Sequence, residues 1–561
     1  MPVQGYFTFV LHSHIPYVRA AGRWPFGEET LHEAIAETYV PLLNALYDLV
    51  DAGVQPRLTI GITPILLEQI ADADVAAHFE LYVQEKMALA EADMARFAQE
   101  GNKRFLDLAR FYHGWYSNVL QSFQERYDGD LVGAFRRLQD GGYLDILTSA
   151  ATHGYLPLME RDSTIYGQLK VGRDASARRF GRAPRGVWLP ECGYRPAYYT
   201  STGQPYLKPG VEDFLADLEL GYFFTDTQVI EGGRLTGKAV GDVIGPYGGL
   251  PIRKLVQVPI TEPTEKTTFR PYFVTTPKVA VYGRDERTGM QVWSAAQGYP
   301  GDFVYREFHR KDDHSGLQYW RVSGAGVDLG QKDLYDPGLA LQQVGRHAQH
   351  FAGLVVERLA GYYAAHQKPG IIASAYDTEL FGHWWFEGII WIKEVLRALA
   401  ASETVKLTTA NGYLEQFPPT EVLALRESSW GAGGGHWTWL NPGTEWMWPL
   451  IHNAERQMEK LVARYPDAQG DLLAVLNQVA RELVLLESSD WPFLISTGQA
   501  KDYASGRFQQ HLARFNRLVA VAEAGVVSEG DRRTLATILE YDNPFPAMDY
   551  RLFANREGRK G

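Results

Sequence analysis

The 561-residue chain contains a single cysteine, Cys192, so no disulfide can form within it. A chain of this composition suits a reducing compartment, and we expect a cytoplasmic protein. It also lacks an N-terminal basic segment followed by an apolar one, so we expect no secretion signal. No run approaches about eighteen apolar residues, so we expect no membrane-spanning helix.

Positive charge is in short supply as well. Asp and Glu number 67 against 55 Lys and Arg, which gives a formal net charge of −12. This balance argues against nucleic acid or an anionic membrane as a partner. No glycine-rich phosphate-binding loop follows any predicted strand, which weakens every nucleotide-binding hypothesis.

Aromatic side chains, in contrast, are abundant. The chain has 14 Trp, 31 Tyr and 26 Phe, which together make up 13% of the residues. So many rings either build a very large core or line surfaces that hold flat, partly apolar ligands such as sugars. The hydrophobic content of 45% and the charged content of 22% are those of an ordinary globular protein.

Strand patterns alternate with helical spacing through the first 400 residues. The strands are predicted at 6–11, 57–62, 143–148, 187–189, 221–225, 278–282 and 371–375. Strands separated by helices indicate a parallel sheet, and the polar residues at the strand ends favour an α/β barrel with a site at one rim. An open doubly wound sheet would give a similar pattern.

Two regions depart from this alternation. Residues 70–140 are densely charged and poor in β-branched residues, which predicts a helical insertion. After residue 410 the strand signal fades and helical spacing dominates. We therefore expect a catalytic unit at 1–400 that carries the insertion, and a helical C-terminal domain at 410–561. The glycine-rich stretch 231–249 is expected to be a long mobile loop.

The acidic residue Glu191 follows a short predicted strand at once. Pro190 cannot donate to a sheet ladder, so strand pairing should end there. Gly193 is expected to provide a sharp change of direction. Glu191 would then sit on a stiff support at the end of a strand, where parallel barrels keep their chemistry. The alternative is a helix cap or a surface ion pair.

Asp377 is a second carboxylate at a strand end, and it also lies among aromatic residues. Such surroundings exclude water and can raise the pKa of a carboxyl group toward that of a general acid. A pair of carboxylates that flank a glycosidic bond is the usual machinery of sugar transfer and hydrolysis. Asp377 could instead form an ion pair with an arginine.

His12 and His14 are two residues apart on an extended segment, so their side chains should point to the same side. They could form part of a metal site, with His153 and Asp226 as further ligands. They could also contact a substrate, or have a purely structural role. The sequence leaves these alternatives open.

Five segments, taken together, resemble the signature regions of family 57 glycoside hydrolases, in the order in which that family has them. The segments are residues 12–17, 152–154, 186–194, 376–385 and 488–493. Within the family the chain looks most like the 1,4-α-glucan branching enzymes, on its length, on residues 282–294 and 299–302, and on its helical C-terminal third.

The resemblance implies a (β/α)7 barrel with a helical insertion and a helical C-terminal domain. It implies a retaining mechanism that needs no cofactor and no metal, with Glu191 as nucleophile and Asp377 as general acid and base. The partners would be α-glucan donors and acceptors such as amylose and glycogen. We expect a monomer that binds neither nucleic acid nor membrane.

The resemblance also implies substrate-binding residues. His12, His14 and His153 match residues that contact the sugar under attack. Tyr247 falls in a loop that would cover the site and exclude water. The remaining matches to glucan-binding positions are Arg284, Gly301, Trp430, Asp490 and Gln499.

Three other functions compete with branching. An α-amylase or a 4-α-glucanotransferase would use the same site, but only branching yields α-1,6 linkages. A metal-dependent deacetylase or mannosidase would use the two histidines and would lose activity on chelation. A non-catalytic glucan-binding protein would form no covalent intermediate.

Overall fold

The computed structural model describes residues 2–23, 25–200, 206–232, 264–294 and 298–556. Its strands are β1 (Gly5–Ser13), β2 (Leu58–Ile62), β3 (Leu144–Leu147), β4 (Tyr198–Tyr199), β5 (Leu207–Lys208), β6 (Tyr222–Thr225), β7 (Tyr272–Val274), β8 (Thr276–Gly283), β9 (Gly370–Asp377), β10 (Val405–Leu407) and β11 (Val422–Leu423).

Helices account for most of the other described residues. They are α1 (Glu28–Ala34), α2 (Val40–Asp51), α3 (Pro64–Ile70), α4 (Ala73–Gln99), α5 (Lys103–Gln121), α6 (Leu131–Asp140), α7 (Asp162–Phe180), α8 (Val211–Asp217), α9 (Thr227–Glu231), α10 (Glu286–Trp293), α11 (Pro337–His366), α12 (Gly388–Ala400), α13 (Ala410–Gln416), α14 (Met447–Arg464), α15 (Gly470–Leu486), α16 (Asp490–Thr497), α17 (Lys501–Ala524) and α18 (Glu529–Tyr541). None of the helices in the described ranges is long and apolar enough to cross a membrane.

The parallel strands follow one another around a barrel. β9, β1, β2 and β3 pair in that order, and β6 pairs with β8. Residues 186–187 join the two groups, since Val187 bridges to the end of β3 and Gly186 bridges to β6. A hydrogen bond of 3.1 Å from the backbone N–H of Asp285 to the carbonyl of Ala373 links the end of β8 to β9. The described residues thus form the (β/α)7 barrel that the resemblance implies.

Side chains fill the barrel, and helices cover it. One apolar cluster lies inside the ring of strands and includes Leu147, Trp188, Tyr222 and Tyr282. A larger cluster packs strands β1, β2 and β3 against the surrounding helices. Because strand side chains alternate between the two faces, strands buried on both sides read as nearly continuous apolar runs in the sequence.

The first strand changes its neighbour half-way along. One edge of β1 pairs with β9 over the whole length from Gly5 to His12. The other edge pairs with β10 at Gly5–Phe7 and with β2 only from Val10 onward. β10 and β2 therefore part near Thr8, and the barrel wall is split at the end where its strands begin.

The helices after residue 447 form a core of their own that reaches the barrel directly. Tyr17, Ala151 and Tyr155 of the barrel belong to the same apolar cluster as α14, α15 and α17. Local sequence signals fit the helix ends: α11, for example, begins with Pro337 after the N-cap Asp336, whose side chain accepts the N–H groups of the first turn. This packing brings the start of α16 to the mouth of the barrel.

Candidate active site

Glu191 lies in a tight turn, Pro190–Cys192, directly after the segment that bridges β3 and β6. Glu191 and Cys192 both have left-handed backbone conformations, with φ of 58° and 49°. Non-glycine residues rarely adopt this conformation, and it is found at positions that the surrounding structure constrains strongly. Of the strand predicted at 187–189 the structure forms only the bridge at Val187, next to a second bridge at Gly186, and the backbone holds the carboxylate in a fixed place just after these residues.

The expectation that Gly193 makes this turn is wrong. Its φ is −70°, which any residue can adopt. A glycine is nevertheless required there, because a Cβ at this position would lie 2.9 Å from both the carbonyl oxygen of Pro190 and the ring of Tyr155. Close packing, and not turn geometry, explains Gly193.

Trp430 is the main partner of Glu191. Its indole Nε1 donates a hydrogen bond of 2.6 Å to Oε2 of Glu191. Its backbone N–H donates a second one of 3.0 Å to the Glu191 carbonyl. Trp188 lies edge-on to Trp430, with ring centroids 5.0 Å apart, and Nδ1 of His153 lies 3.9 Å from Oε1 of the same carboxylate.

The surroundings of Glu191 raise its pKa to about 7. Burial is the largest cause, the hydrogen bond from Trp430 acts in the opposite direction, and the negative charge of Asp377 raises the pKa further. The influence of Asp377 on Glu191 means that the two acidic groups interact across the mouth of the barrel.

Asp377 is the last residue of β9 and pairs in register with His12 of β1. A short turn, Thr378–Leu380, begins directly after it. Asp377 thus stands at the carboxyl end of a parallel strand, and Glu191 follows the bridging residues 186–187 at the same end of the barrel. The two residues that the sequence singled out lie at the same rim of the barrel.

The three predicted histidines lie together beside these carboxylates. Nε2 of His12 and Nε2 of His153 are 3.1 Å apart, and the rings of His14 and His153 stack at 4.0 Å. His12 also stacks on Trp188 at 4.8 Å. Burial lowers the pKa of both His12 and His153 well below the usual range, and the neighbouring His14 lowers both further, so both rings are neutral near pH 7.

His14 differs because it is paired with a carboxylate. Its Nε2 lies 3.0 and 3.1 Å from the two oxygens of Asp490, and its Nδ1 lies 3.0 Å from the hydroxyl of Thr63. Burial opposes protonation of His14, but the charge of Asp490 and its hydrogen bond outweigh burial and raise the pKa. Asp490 also accepts a bond of 2.6 Å from Ser488, so the first turn of α16 is tied to β1.

Arg284 lies on the far side of Trp430. Its guanidinium donates a hydrogen bond of 2.6 Å to Asp226 and is 5.9 Å from the centre of the Trp430 ring. Asp226, which directly follows β6, is also the N-cap of α9. The pair therefore extends the polar rim from Glu191 toward β6 and β8.

The remaining predicted residues are not brought to the carboxylates in the same way. Gln499 lies just beyond α16, and its Nε2 is buried with no partner among the described residues. Gly301 is exposed and ends the short turn Tyr299–Gly301, whose first residue is buried. Tyr247 lies outside the described residues.

The sequence analysis missed Glu379, which joins several of these groups. Its Oε1 accepts the backbone N–H of His14 at 3.1 Å and the hydroxyl of Tyr39. Burial raises the pKa of Glu379 to about 8, the bond from Tyr39 lowers it, and Asp377 raises it. The signal was present, since Glu379 follows Asp377 by two residues within the same matched segment.

The metal hypothesis is not favoured by the arrangement of donor atoms. Both ring nitrogens of His14 are engaged with Asp490 and Thr63, and the Nε2 atoms of His12 and His153 face each other. Asp226 is held by Arg284, whose positive charge would repel a cation. Neutral imidazoles and a carboxylate pair instead suit the hydroxyl groups of a sugar.

Two family models match the chain. The model described as glycosyl hydrolase family 57 matches residues 8–426. The model described as the C-terminal region of 1,4-alpha-glucan branching enzyme matches residues 450–553. Together they span both the barrel and the helices that carry Asp490.

Known proteins resemble the chain over nearly its whole length. A 1,4-alpha-glucan branching enzyme of Thermococcus kodakarensis is 43% identical over 547 residues, which is 97% of this chain and 78% of that protein. The crystal structure of a branching enzyme of the same family from Pyrococcus horikoshii is 41% identical, with a TM-score of 0.87 and coverage of 99% of this chain and 98% of that one.

An enzyme with a different activity shares the fold. The alpha-amylase AmyC of Thermotoga maritima is 29% identical, with a TM-score of 0.80 and coverage of 99% of each chain. The fold therefore does not distinguish hydrolysis from branching. The distinction comes from the closer identity to the branching enzymes and from the C-terminal match at 450–553.

Proposed function

The chain belongs to glycosyl hydrolase family 57, and from this premise we propose how its two carboxylates divide the reaction. The activity is that of a 1,4-alpha-glucan branching enzyme. Such an enzyme cleaves an α-1,4 bond, keeps one of the two fragments attached to itself, and transfers that fragment to a 6-hydroxyl as an α-1,6 branch. Glu191 is the nucleophile and Asp377 is the general acid and base.

In the first step Asp377 gives its proton to the oxygen of the scissile bond while Glu191 attacks the anomeric carbon. The carbon–oxygen bond to the leaving chain breaks, and an ester bond to Glu191 forms. The leaving chain departs with a free 4-hydroxyl, and Asp377 is left ionised.

In the second step the ionised Asp377 takes the proton of the acceptor's 6-hydroxyl. That oxygen attacks the anomeric carbon, the ester bond to Glu191 breaks, and both carboxyl groups return to their starting states. Two displacements at one carbon retain its configuration.

One observation supports this assignment above the others: Glu191 and Asp377 face each other across the mouth of the barrel, and the charge of Asp377 acts on the ionisation of Glu191. The hydrogen bond from Trp430 favours the ionised form of Glu191, which a nucleophile needs. The left-handed turn at Glu191 keeps the carboxylate in position.

We assign the surrounding residues to substrate binding. His12 and His153, whose rings are neutral, lie beside Glu191 and are assigned to contact with the sugar under attack. His14 and Asp490 form one wall, and Trp430 with Arg284 forms the other. Gly301, Gln499 and Tyr247 stay proposals on the resemblance alone.

Whether water or a sugar accepts the chain depends on which hydroxyl is held in line with the anomeric carbon and on how dry the site stays. Aromatic rings around Glu191 and Asp377 favour a dry site. We propose that Tyr247 adds to this exclusion of water.

The test is a linkage analysis after incubation of the purified protein with amylose. We expect new α-1,6 linkages, released as linear chains by a debranching enzyme, in excess of new reducing ends. Glu191→Gln and Asp377→Asn should each lose at least about 1000-fold in rate, since each removes a reacting group. Glu100→Gln, an exposed position at the end of α4, is the matched control.

Four results would count against the proposal. New reducing ends without α-1,6 linkages would identify an α-amylase, and disproportionation of chains without branches would identify a 4-α-glucanotransferase. Near-normal activity of Glu191→Gln would remove Glu191 from the role of nucleophile. Loss of activity on chelation, restored by a divalent metal, would favour a metal-dependent deacetylase or mannosidase.

We also propose a cytoplasmic monomer with a catalytic unit at 1–400, an insertion at 70–140 and a helical domain at 410–561. The single cysteine supports the location, since an extracellular protein of this length commonly carries disulfides. Light scattering tests the monomer: a mass near 63.1 kDa is expected. Limited proteolysis tests the boundaries through the position of the first cuts.

A further inference from the structure

A cavity of about 1340 Å³ lies at the end of the barrel where the strands begin, opposite the rim that carries the carboxylates. It opens where the barrel wall is split, between β3 and the segment that includes β10 and α13. Tyr6 at the start of β1, Leu144 at the start of β3 and Arg185 just before the segment 186–187 all line it.

The cavity lining carries both signs of charge and many planar polar groups. Its side chains include five cations, among them Arg57 and Arg185, three carboxylic acids, among them Asp145 and Glu415, and four side-chain amides. An anionic ligand would meet the arginines but would be repelled by the acids. A cationic ligand would be attracted by the acids but repelled by the arginines. The lining therefore suits a neutral ligand rich in hydroxyl groups.

Asp145 lines the cavity, and one of its carboxylate oxygens, Oδ1, can accept a hydrogen bond from a ligand. Both of its hydrogen bonds, from the hydroxyl of Tyr222 and from the backbone N–H of Asn411 at 3.1 Å, go to Oδ2. Oδ1 has no partner within the described part of the chain. A half-buried carboxylate oxygen of this kind can accept a hydrogen bond from a ligand hydroxyl.

Tyr6 adds an aromatic surface to the cavity. Its ring packs against Tyr413 at 5.5 Å and Phe417 at 5.3 Å, and it remains half-buried. Rings held in this way provide a flat apolar surface for the C–H faces of a sugar, while the polar groups around them bind its hydroxyls.

We propose that this cavity is a second glucan-binding site, remote from the reaction site. Its volume exceeds the range of roughly 300–1000 Å³ that is typical of small-molecule pockets, so an oligosaccharide segment fits it better than a single sugar. The choice of a glucan rests on the proposed function, whereas the preference for a neutral polyhydroxyl ligand rests on the lining alone.

Two sites on one protein would hold a long polymer more firmly than a short one. Once the polymer is bound in the cavity at the end of the barrel where the strands begin, the reaction site meets further chains of the same polymer molecule at a high effective concentration. Short maltooligosaccharides cannot span both ends of the barrel, so they gain nothing from the second site.

Calorimetric titration with maltoheptaose tests the site without any turnover. In Glu191→Gln we expect two binding sites per chain, and in the triple variant that adds Arg185→Ala and Gln416→Ala we expect one. Both added positions are exposed, so the fold should survive. Arg57→Ala with Glu415→Ala provides a second pair in the same cavity, should the first pair unfold the chain.

A control pair, Arg104→Ala with Gln121→Ala, lies on the exposed surface of α5 and should leave two sites. In the active enzyme, the cavity pair should raise the KM for amylopectin at least about tenfold and leave the rate on maltoheptaose within about twofold. A single site in Glu191→Gln, or two sites that survive both cavity pairs, would overturn the proposal. Because this titration does not depend on which linkages the enzyme forms, its result is separate from that of the linkage analysis.

Discussion

The indole nitrogen of Trp430 donates a hydrogen bond of 2.6 Å to Oε2 of Glu191, across 239 residues of sequence. A second bond of 3.0 Å joins the backbones of the same two residues. The indole bond favours the ionised carboxylate and so opposes the effect of burial on its pKa. Trp430 therefore acts directly on the ionisation of Glu191, the residue that we propose as the nucleophile.

Replacing Trp430 by Phe should impair the enzyme mainly at low pH. The ring is kept but the hydrogen bond is lost, which raises the pKa of Glu191 further above about 7. A bond to a charged group is worth roughly 1.5–3 kcal/mol, so kcat/KM near pH 7 should fall about tenfold or more. The acid limb of the pH profile should move upward. Trp446→Phe, which removes an indole bond to the carbonyl of Gly443, should leave that limb in place.

The wild-type pH profile should itself fall on the acid side with an apparent pKa near 7. As the proposed nucleophile, Glu191 must be ionised to attack, and with a pKa of about 7 a growing fraction of it is protonated as the pH falls below that value. Below it, kcat/KM should drop about tenfold per pH unit. Initial rates measured from pH 4.5 to 9 test this, and a profile that stays flat down to pH 5 would contradict it.

Glu191→Gln should stabilise the fold at alkaline pH while it abolishes activity. The folded pKa is raised from 4.5 to about 7, so the wild type loses stability as the pH rises through that interval. At pH 8 the ionised carboxylate should cost up to about 3 kcal/mol, which glutamine avoids. Denaturant unfolding at pH 4.5 and 8 should show a gain only at pH 8, whereas Glu100→Gln should show none.

Asp490→Asn should weaken the link between α16 and β1 in a pH-dependent way. Burial lowers the pKa of His14, but the pairing with Asp490 outweighs burial and raises it above its ordinary value of 6.5. The pairing therefore stabilises the fold fully below pH 6.5 and less as the pH rises through the pKa of His14 in the folded state. The variant should be destabilised more at pH 6 than at pH 9. An NMR titration should show a lower pKa for His14, and the exposed Asp467→Asn should change neither quantity.

Glu379 should behave as a positioning residue that acts through His14. Glu379→Ala leaves the buried N–H of His14 and the hydroxyl of Tyr39 without their acceptor, so kcat/KM should fall at least about tenfold. Glu379→Gln keeps an acceptor oxygen and should retain most of the activity. Because its pKa is about 8, Glu379 is largely protonated at neutral pH, so the difference between the two variants comes from the acceptor oxygen and not from the charge. A loss in Glu379→Gln as large as that in Glu379→Ala would contradict this role.

Strand β9 at the candidate site was predictable because the signal for it, a buried run of β-forming residues, lies in its own sequence. The buried run predicted at 371–375 forms β9, which ends at Asp377, whereas the run before Pro190 forms only the bridging residues 186–187. The placement of His12 beside His14 also follows from strand geometry. These features depend on neighbours in sequence.

The partnerships across the site were not predictable from local patterns. Nothing near Glu191 indicates that Trp430 would reach it, and nothing near Arg284 indicates Asp226. The reason for a glycine at position 193 was also not predictable, because it is the close approach of the Tyr155 ring, which leaves no room for a Cβ. Such contacts depend on how distant elements pack, which the sequence does not display in any single window.

The bond between His14 and Asp490 joins the first strand to a helix that begins near the end of the chain. During synthesis on the ribosome the barrel strands emerge well before α16 does, and domains usually fold as they emerge. A nascent chain therefore carries Glu191 and Asp377 long before it can complete the wall beside them. The cell acquires a working glucan-branching site only after the ribosome has passed Asp490.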